Sequence, residues 1–220
     1  MASCVAISEK DPVMSNSIEM KGWPPTVCGL PDLSALRQDK MLRLAERKIV
    51  GMTGPPVWLT ETLRINYVRV TDHLIHEYEK TREELTLYVN EAGSGFLRTL
   101  HLIRATGHFE AAVTNMVRAI GLARRLRRAK DGPPIEKNVQ VLRDDVANRV
   151  GDLRNAIEHI FGSNSDPVPP AWLILKNEKC ELEGIEILYG DFAHWIEQLD
   201  KIAVEAAEYQ GPPSSSHAQQ

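Results

Sequence analysis

Six consecutive residues, Arg154-Asn155-Ala156-Ile157-Glu158-His159, gather side chains suited to work on a phosphate ester. Imidazoles as a class titrate at about pH 6.5, so His159 is the candidate to exchange a proton with a ribose 2′-OH or a leaving 5′-oxygen. Arg154 offers a planar, permanently charged fork for a phosphate that gains negative charge in the transition state. Asn155 can orient either the imidazole or the phosphate, and Glu158 can position Arg154. That set of groups performs phosphodiester cleavage without a metal, and only on a strand that carries a 2′-OH.

An amphipathic helix must carry these residues. Val139, Leu142, Val146, Val150, Leu153, Ile157 and Ile160 recur at steps of three and four, the spacing of one apolar stripe. With Leu153 set at zero, Arg154 lies at about 100°, Glu158 at about 140°, Asn155 at about 200° and His159 at about 240° around the axis. All four therefore face away from the stripe. Ala147 and Gly151 project the same way one turn apart, and two small residues on an outward face admit a second backbone closely. The geometry predicts a partner against this face, with Ala147 and Gly151 in the interface. A plainer reading stands beside it: Arg154 and Glu158 are spaced i,i+4 and also form an ordinary surface ion pair worth roughly 0.3 kcal/mol.

Arg-Asn-x-x-x-His late in a series of helices resembles the signature of the HEPN superfamily, an Arg followed after four to six residues by a His, with a polar residue favoured after the Arg. The resemblance spans roughly residues 60 to 209. It rests on helix order, on the motif, and on a likeness of Phe109-Glu110-Ala111-Ala112-Val113 through Leu126 to the family's second long helix. A second match to the bare pattern, Arg69 to His76, has Val70 after the Arg and sits early in the chain, so it is set aside. The resemblance implies a metal-independent endoribonuclease acting as a homodimer, with two copies of the motif forming one composite site and no cofactor. Arg154 and His159 would be catalytic, supported by Asn155 and Glu158. Relatives act as toxins of bacterial toxin–antitoxin pairs and in antiviral defence, so an antitoxin or regulatory protein is an expected partner beside RNA. The chain departs from one group, whose toxins are silenced by adenylylation of a Tyr two residues past the motif His. Here that position is Phe161, which has no hydroxyl to modify. The alternative is a non-catalytic HEPN-like module that binds RNA, a nucleotide or a protein as a dimer.

A second cluster of cations, Arg124-Arg125-Leu126-Arg127-Arg128-Ala129-Lys130, ends the helix before the motif. The macrodipole favours positive charge at a helix C-terminus. The same residues also suit an RNA-binding patch, because each neutralised phosphate releases counterions. A metal site is not expected: His73, His76 and Glu77 share a neighbourhood but lack a convincing third ligand.

The rest of the chain reads as support. With 220 residues, 43% of them hydrophobic and 25% charged, there is material for one sizeable core. A net charge of −4 argues against general coating of nucleic acid. Cys4, Cys28 and Cys180 give neither a disulfide framework nor zinc spacing, which fits a reducing cytoplasm. No apolar run approaches the roughly 18 residues of a membrane span, and the first twenty residues lack the pattern of a signal peptide. No repeat, phosphate-cradling glycine loop or Ser-His-Asp constellation is present.

Residues 1–30 are expected to form an irregular arm able to lie across the domain through Trp23. Residues 31–58 hold an accessory helix, capped by Asp32 and running to about Val50, and a Pro-rich linker. The bundle spans 59–210, and a flexible tail covers 211–220. Within the bundle, Thr60 caps a helix to about Asn90 with Leu63, Tyr67, Val70, Leu74, Tyr78, Leu85 and Tyr88 inward and a gap near Thr81. Helix then follows over 96–104 and 108–128, with a kink or break at Thr106-Gly107. The motif helix covers about 135–161. A hairpin with Trp172 to Leu175 and Leu182 to Ile187 as strands precedes a last helix capped by Asp191. The expected fold is an all-α bundle of four to five helices with a small β-hairpin inserted before the last helix.

Overall fold

A computed structural model describes residues 29–37, 40–51, 58–91, 95–159 and 173–209. The arm with Trp23, the linker, the segment holding Ile160 and Phe161, and the C-terminal tail lie outside the described residues. Five helices follow one another: α1 (Lys40–Gly51), α2 (Trp58–Asn90), α3 (Gly95–Arg128), α4 (Asp144–His159) and α5 (Tyr189–Glu208). A small sheet of β1 (Ile174–Leu175), β2 (Lys179–Leu182) and β3 (Ile185–Leu188) immediately precedes α5. The all-α bundle with a β insert before its last helix is therefore the architecture. Among the described residues, no helix is long and apolar enough to cross a membrane.

Helices α2 and α3 make an antiparallel hairpin that forms the spine. The expected stripe of α2 is buried at Leu63, Tyr67, Leu74, Tyr78, Leu85 and Tyr88, and the gap is filled by Thr81, itself buried. The Thr81 hydroxyl donates to the Glu77 carbonyl at 2.9 Å, so the stripe stays continuous without an unsatisfied group. Helix α2 starts at Trp58, and Thr60 lies buried in its first turn rather than capping it. Helix α3 runs unbroken through Thr106 and Gly107. Gly107 is on the exposed face, and a single interior glycine costs only about 1 kcal/mol, which burial of Ala105, Phe109, Ala112, Val113 and Met116 outweighs.

Helix α5 lies against this hairpin. Tyr67 Oη donates to the Leu199 carbonyl at 2.7 Å, and the ring of Phe192 packs 5.1 Å from Phe109 and 6.1 Å from Tyr78, centroid to centroid. Asp32 does not cap α1. It accepts from the Ser34 amide at 2.9 Å, starting a short 3-10 turn over Ser34–Leu36, and α1 begins only at Lys40. Lys40 Nζ, 1% exposed, meets the Leu36 carbonyl at 3.0 Å, Asp72 Oδ1 at 3.0 Å and Asp200 Oδ1 at 2.7 Å. One side chain thus ties α1 to both α2 and α5.

The motif helix begins nine residues later than expected, at Asp144. Upstream of it the chain makes a 3-10 turn over Gln140–Leu142, and Arg143 is extended with ψ 153°. Val141 and Leu142 are buried all the same, so the apolar spacing is real but a tighter turn delivers it. Asp144 and Asp145 fall in the first turn, where the positive end of the helix dipole favours them.

The insert is a three-stranded antiparallel meander in the order β1-β2-β3. The stretch expected as one strand from Leu182 to Ile187 turns back at Glu183-Gly184, and Leu182 pairs with Ile185. Both turn residues have positive φ, 51° and 80°, the requirement of a two-residue hairpin loop matched to strand twist. Leu175, Cys180, Leu182 and Ile187 bury the inner face. Helix α5 starts at Tyr189, directly after β3, which places Asp191 in its first turn and not at the cap.

Candidate functional site

Helix α4 presents its apolar side, Val146, Val150, Leu153, Ala156 and Ile157, to the core. Its opposite side carries the polar set. The Arg154 side chain is 36% exposed and that of Glu158 52%, while Asn155 and His159 are exposed. Arg154 Nη2 lies 2.5 Å from Glu158 Oε1, and Arg154 Nη1 donates to Asn155 Oδ1 at 3.3 Å. Three of the four expected side chains are thus linked. His159 closes the helix as its last residue, one position past Glu158. The guanidinium is held by acceptors of its own helix along one edge and leaves its remaining N–H donors for an incoming phosphate.

Upstream on the same helix, Gly151 is half-buried, and a Cβ built on it would meet no atom within 4 Å. Space is open there for another chain. Ala147 is half-buried and leans on the edge of the core. Within this chain, then, Gly151 is the more outward of the pair.

The basic run divides in two. Arg124 is half-buried and spent on structure: its Nε and Nη2 donate to the Leu142 carbonyl at 3.2 and 2.9 Å, and Nη2 also meets Asp144 Oδ1 at 2.8 Å. It clamps the end of α3 to the start of α4. Arg125, Arg128 and Lys130 are exposed, and Arg127 Nη1 donates to the Lys137 carbonyl at 3.4 Å. Asp144 marks the end of α4 nearest this run. At 1.5 Å per residue, Arg154 and His159 lie about 15 and 22 Å further along the axis. The fold therefore does not bring the two cationic clusters together within one chain.

Other titratable groups went unforeseen. His108 Nδ1 meets Glu77 Oε2 at 2.7 Å, and His101 Nδ1 meets Glu84 Oε2 at 2.6 Å. Both bridges link α2 to α3, seven residues apart on each helix. That shared heptad spacing was the available signal, and it becomes visible only once the two helices are known to be neighbours. Glu77 is accordingly turned toward His108, whereas His73 and His76 are exposed. No group of three or more His, Cys, Asp and Glu placed to hold a metal ion occurs among the described residues. Burial pushes the Cys180 thiol up to about 12, so it stays protonated and is no nucleophile.

No protein-family model, no curated protein and no solved structure matches the chain.

Proposed function

We propose that the chain is a metal-independent endoribonuclease of HEPN type that works as a homodimer, with Arg154 and His159 as its catalytic residues. The observation that carries this reading is the clustering of Arg154, Asn155, Glu158 and His159 on the exposed side of α4, beside the open space at Gly151. A second α4 docked at Gly151 would bring two copies of the cluster to face one strand of RNA. The His159 imidazole would exchange protons with the attacking 2′-OH and the departing 5′-oxygen, and Arg154 would stabilise the charge building on the phosphate. Asn155 and Glu158 hold the guanidinium in place. The setting that the resemblance supports is a bacterial toxin–antitoxin or antiviral defence system.

One observation favours a second reading. Glu158 already occupies part of the Arg154 fork, as in an ordinary surface pair, and that suits a module that binds RNA without cutting it. Incubating the purified chain with RNA in excess chelator separates the two. The ribonuclease cuts, and Arg154→Ala and His159→Ala each remove at least about a hundredfold of the rate, the range lost with a general acid–base or anion-stabilising group. Intact RNA, or variants that cut like the wild type, would leave only the binding module.

A further inference from the structure

The loop that leaves α3 folds back beside its last turn and borders an open cleft of about 560 Å3. Arg127, Gly132, Pro133, Pro134, Ile135 and Lys137 line it. We infer that this cleft binds the phosphodiester backbone of a single nucleic-acid strand, gripped between Arg127 on the helix wall and Lys137 on the loop wall. The inference deepens the RNA-handling reading and rests on it for the kind of strand.

Three observations carry it. First, both charged residues that line the cleft are cations; Asp131 and Glu136 belong to the same loop but do not line the cleft. Second, several surface cations are paired with carboxylates, as in Arg37–Glu83, Lys80–Glu83, Arg154–Glu158 and Lys179–Glu186, whereas Arg69 and Arg149 meet other polar groups. Among the described residues, no such pair forms at Arg125, Arg127, Arg128, Lys130 or Lys137, while Arg124 alone of the run is matched, to Asp144. In a chain of net charge −4, two unmatched cations on one cleft, with Arg125, Arg128 and Lys130 close by in sequence, make a local anion site against the overall balance.

Third, the helix dipole favours Arg125, Arg127 and Arg128 in the last turn of α3 but does not account for Lys137. Past the helix the chain turns back at once: the Leu126 carbonyl accepts from the Ala129 amide at 3.0 Å and the Ala129 carbonyl from the Gly132 amide at 3.1 Å. Lys137 also lies outside the helix, beyond the last turn where the dipole acts. Gly132 makes the close return possible, because a Cβ there would sit 2.5 Å from the Leu126 carbonyl oxygen. Arg127 Nη1 donates to the Lys137 carbonyl at 3.4 Å, which links the two sides of the cleft, and keeps four further N–H donors for phosphate oxygens. Pro134, exposed between the buried Pro133 and Ile135, supplies apolar surface for the sugars between phosphates.

Fluorescence anisotropy on the full chain tests this, with a labelled 12-nucleotide single-stranded RNA and a DNA of the same sequence, in the wild type and in His159→Ala. Lys137→Gln and the Arg127→Gln/Lys137→Gln pair should weaken binding of both strands, the pair by tenfold or more at low salt. The log–log salt slope should flatten by about 0.7 per lost contact. Arg143→Gln, at an exposed cation matched to Asp145, should bind like the wild type. Unchanged affinity and slope in Lys137→Gln and the pair would overturn the site, as would a poly-glutamate peptide that competes as well as the RNA. Cleavage scored in the same tubes separates the claims: RNA left whole but released by the paired variant removes the nuclease and keeps the cleft. RNA cut with binding unmoved does the reverse.

Discussion

Arg124 and Arg154 are the same residue type on neighbouring helices, yet their surroundings assign them opposite tasks. Arg124 makes three contacts that join α3 to α4, with a side chain 24% exposed. Arg154 touches only its own helix, among residues that solvent reaches. Replacing Arg124 with Gln should therefore cost about 1–2 kcal/mol of stability, as expected for lost hydrogen bonds to a charged group. Arg154→Ala and His159→Ala should each stay within about 0.5 kcal/mol of the wild type, because exposed substitutions rarely cost more. Urea unfolding of the three variants checks both statements. In the sequence these arginines are indistinguishable as cations. Helical phase places Arg154 outward correctly, but phase within α3 says nothing of the Leu142 carbonyl, which a different segment delivers.

At the scale of elements, the sharpest dependence is on Lys40. Burial holds the Asp200 carboxyl above its usual range, and Lys40 opposes that shift. Lys40→Met leaves Asp200 buried without its partner and should destabilise the fold by about 3 kcal/mol at neutral pH. The Asp200 pKa in the folded variant then rises further above its unfolded value of about 3.9. Stability tied to such a group is present below the unfolded value and is lost as pH rises through the folded one. The deficit of Lys40→Met against the wild type should accordingly be largest near pH 7 and shrink toward pH 4, read from unfolding at several pH values. A deficit independent of pH would show that packing, not charge, is what Lys40 provides.

Long, regular elements were legible from spacing alone: α2, most of α3 and α5 follow apolar stripes that the core confirms. Their ends were less so. The start of α4 was misplaced because Val139 and Leu142 continue the helical spacing while Arg143 is extended and a 3-10 turn intervenes. The β2–β3 turn was missed because alternation continues on both sides of Glu183-Gly184, with no Asn-Gly or Asp-Gly to mark it. Lys40 as a tie had no local signal, since its partners lie 32 and 160 residues away.

For the whole molecule, the proposal needs a second copy. About 15 to 22 Å of helix separates the motif cluster from the end of α4 nearest the cleft, so one chain offers a cutting face and a gripping face apart from each other. A two-chain assembly centred on α4 places two motif clusters together and leaves the clefts outside to guide a strand in. Gly151→Leu tests that assembly. A larger side chain meets nothing within 4 Å of its Cβ in its own chain, and Leu favours helix over Gly by roughly 0.8 kcal/mol. The variant should fold, yet be monomeric by mass in solution. It should also lose about a hundredfold in rate, the scale expected when reacting groups are displaced by 1 Å. A dimeric, fully active Gly151→Leu would place the interface elsewhere.

The chemistry itself is read most directly from the ends of the cut RNA. The proposed attack by the 2′-OH leaves a 2′,3′-cyclic phosphate on the upstream fragment and a 5′-hydroxyl on the downstream one. It proceeds in excess chelator, spares DNA of the same sequence and disappears in His159→Ala. Fragments bearing 5′-phosphates, or cyclic ends still released by His159→Ala, would contradict the account.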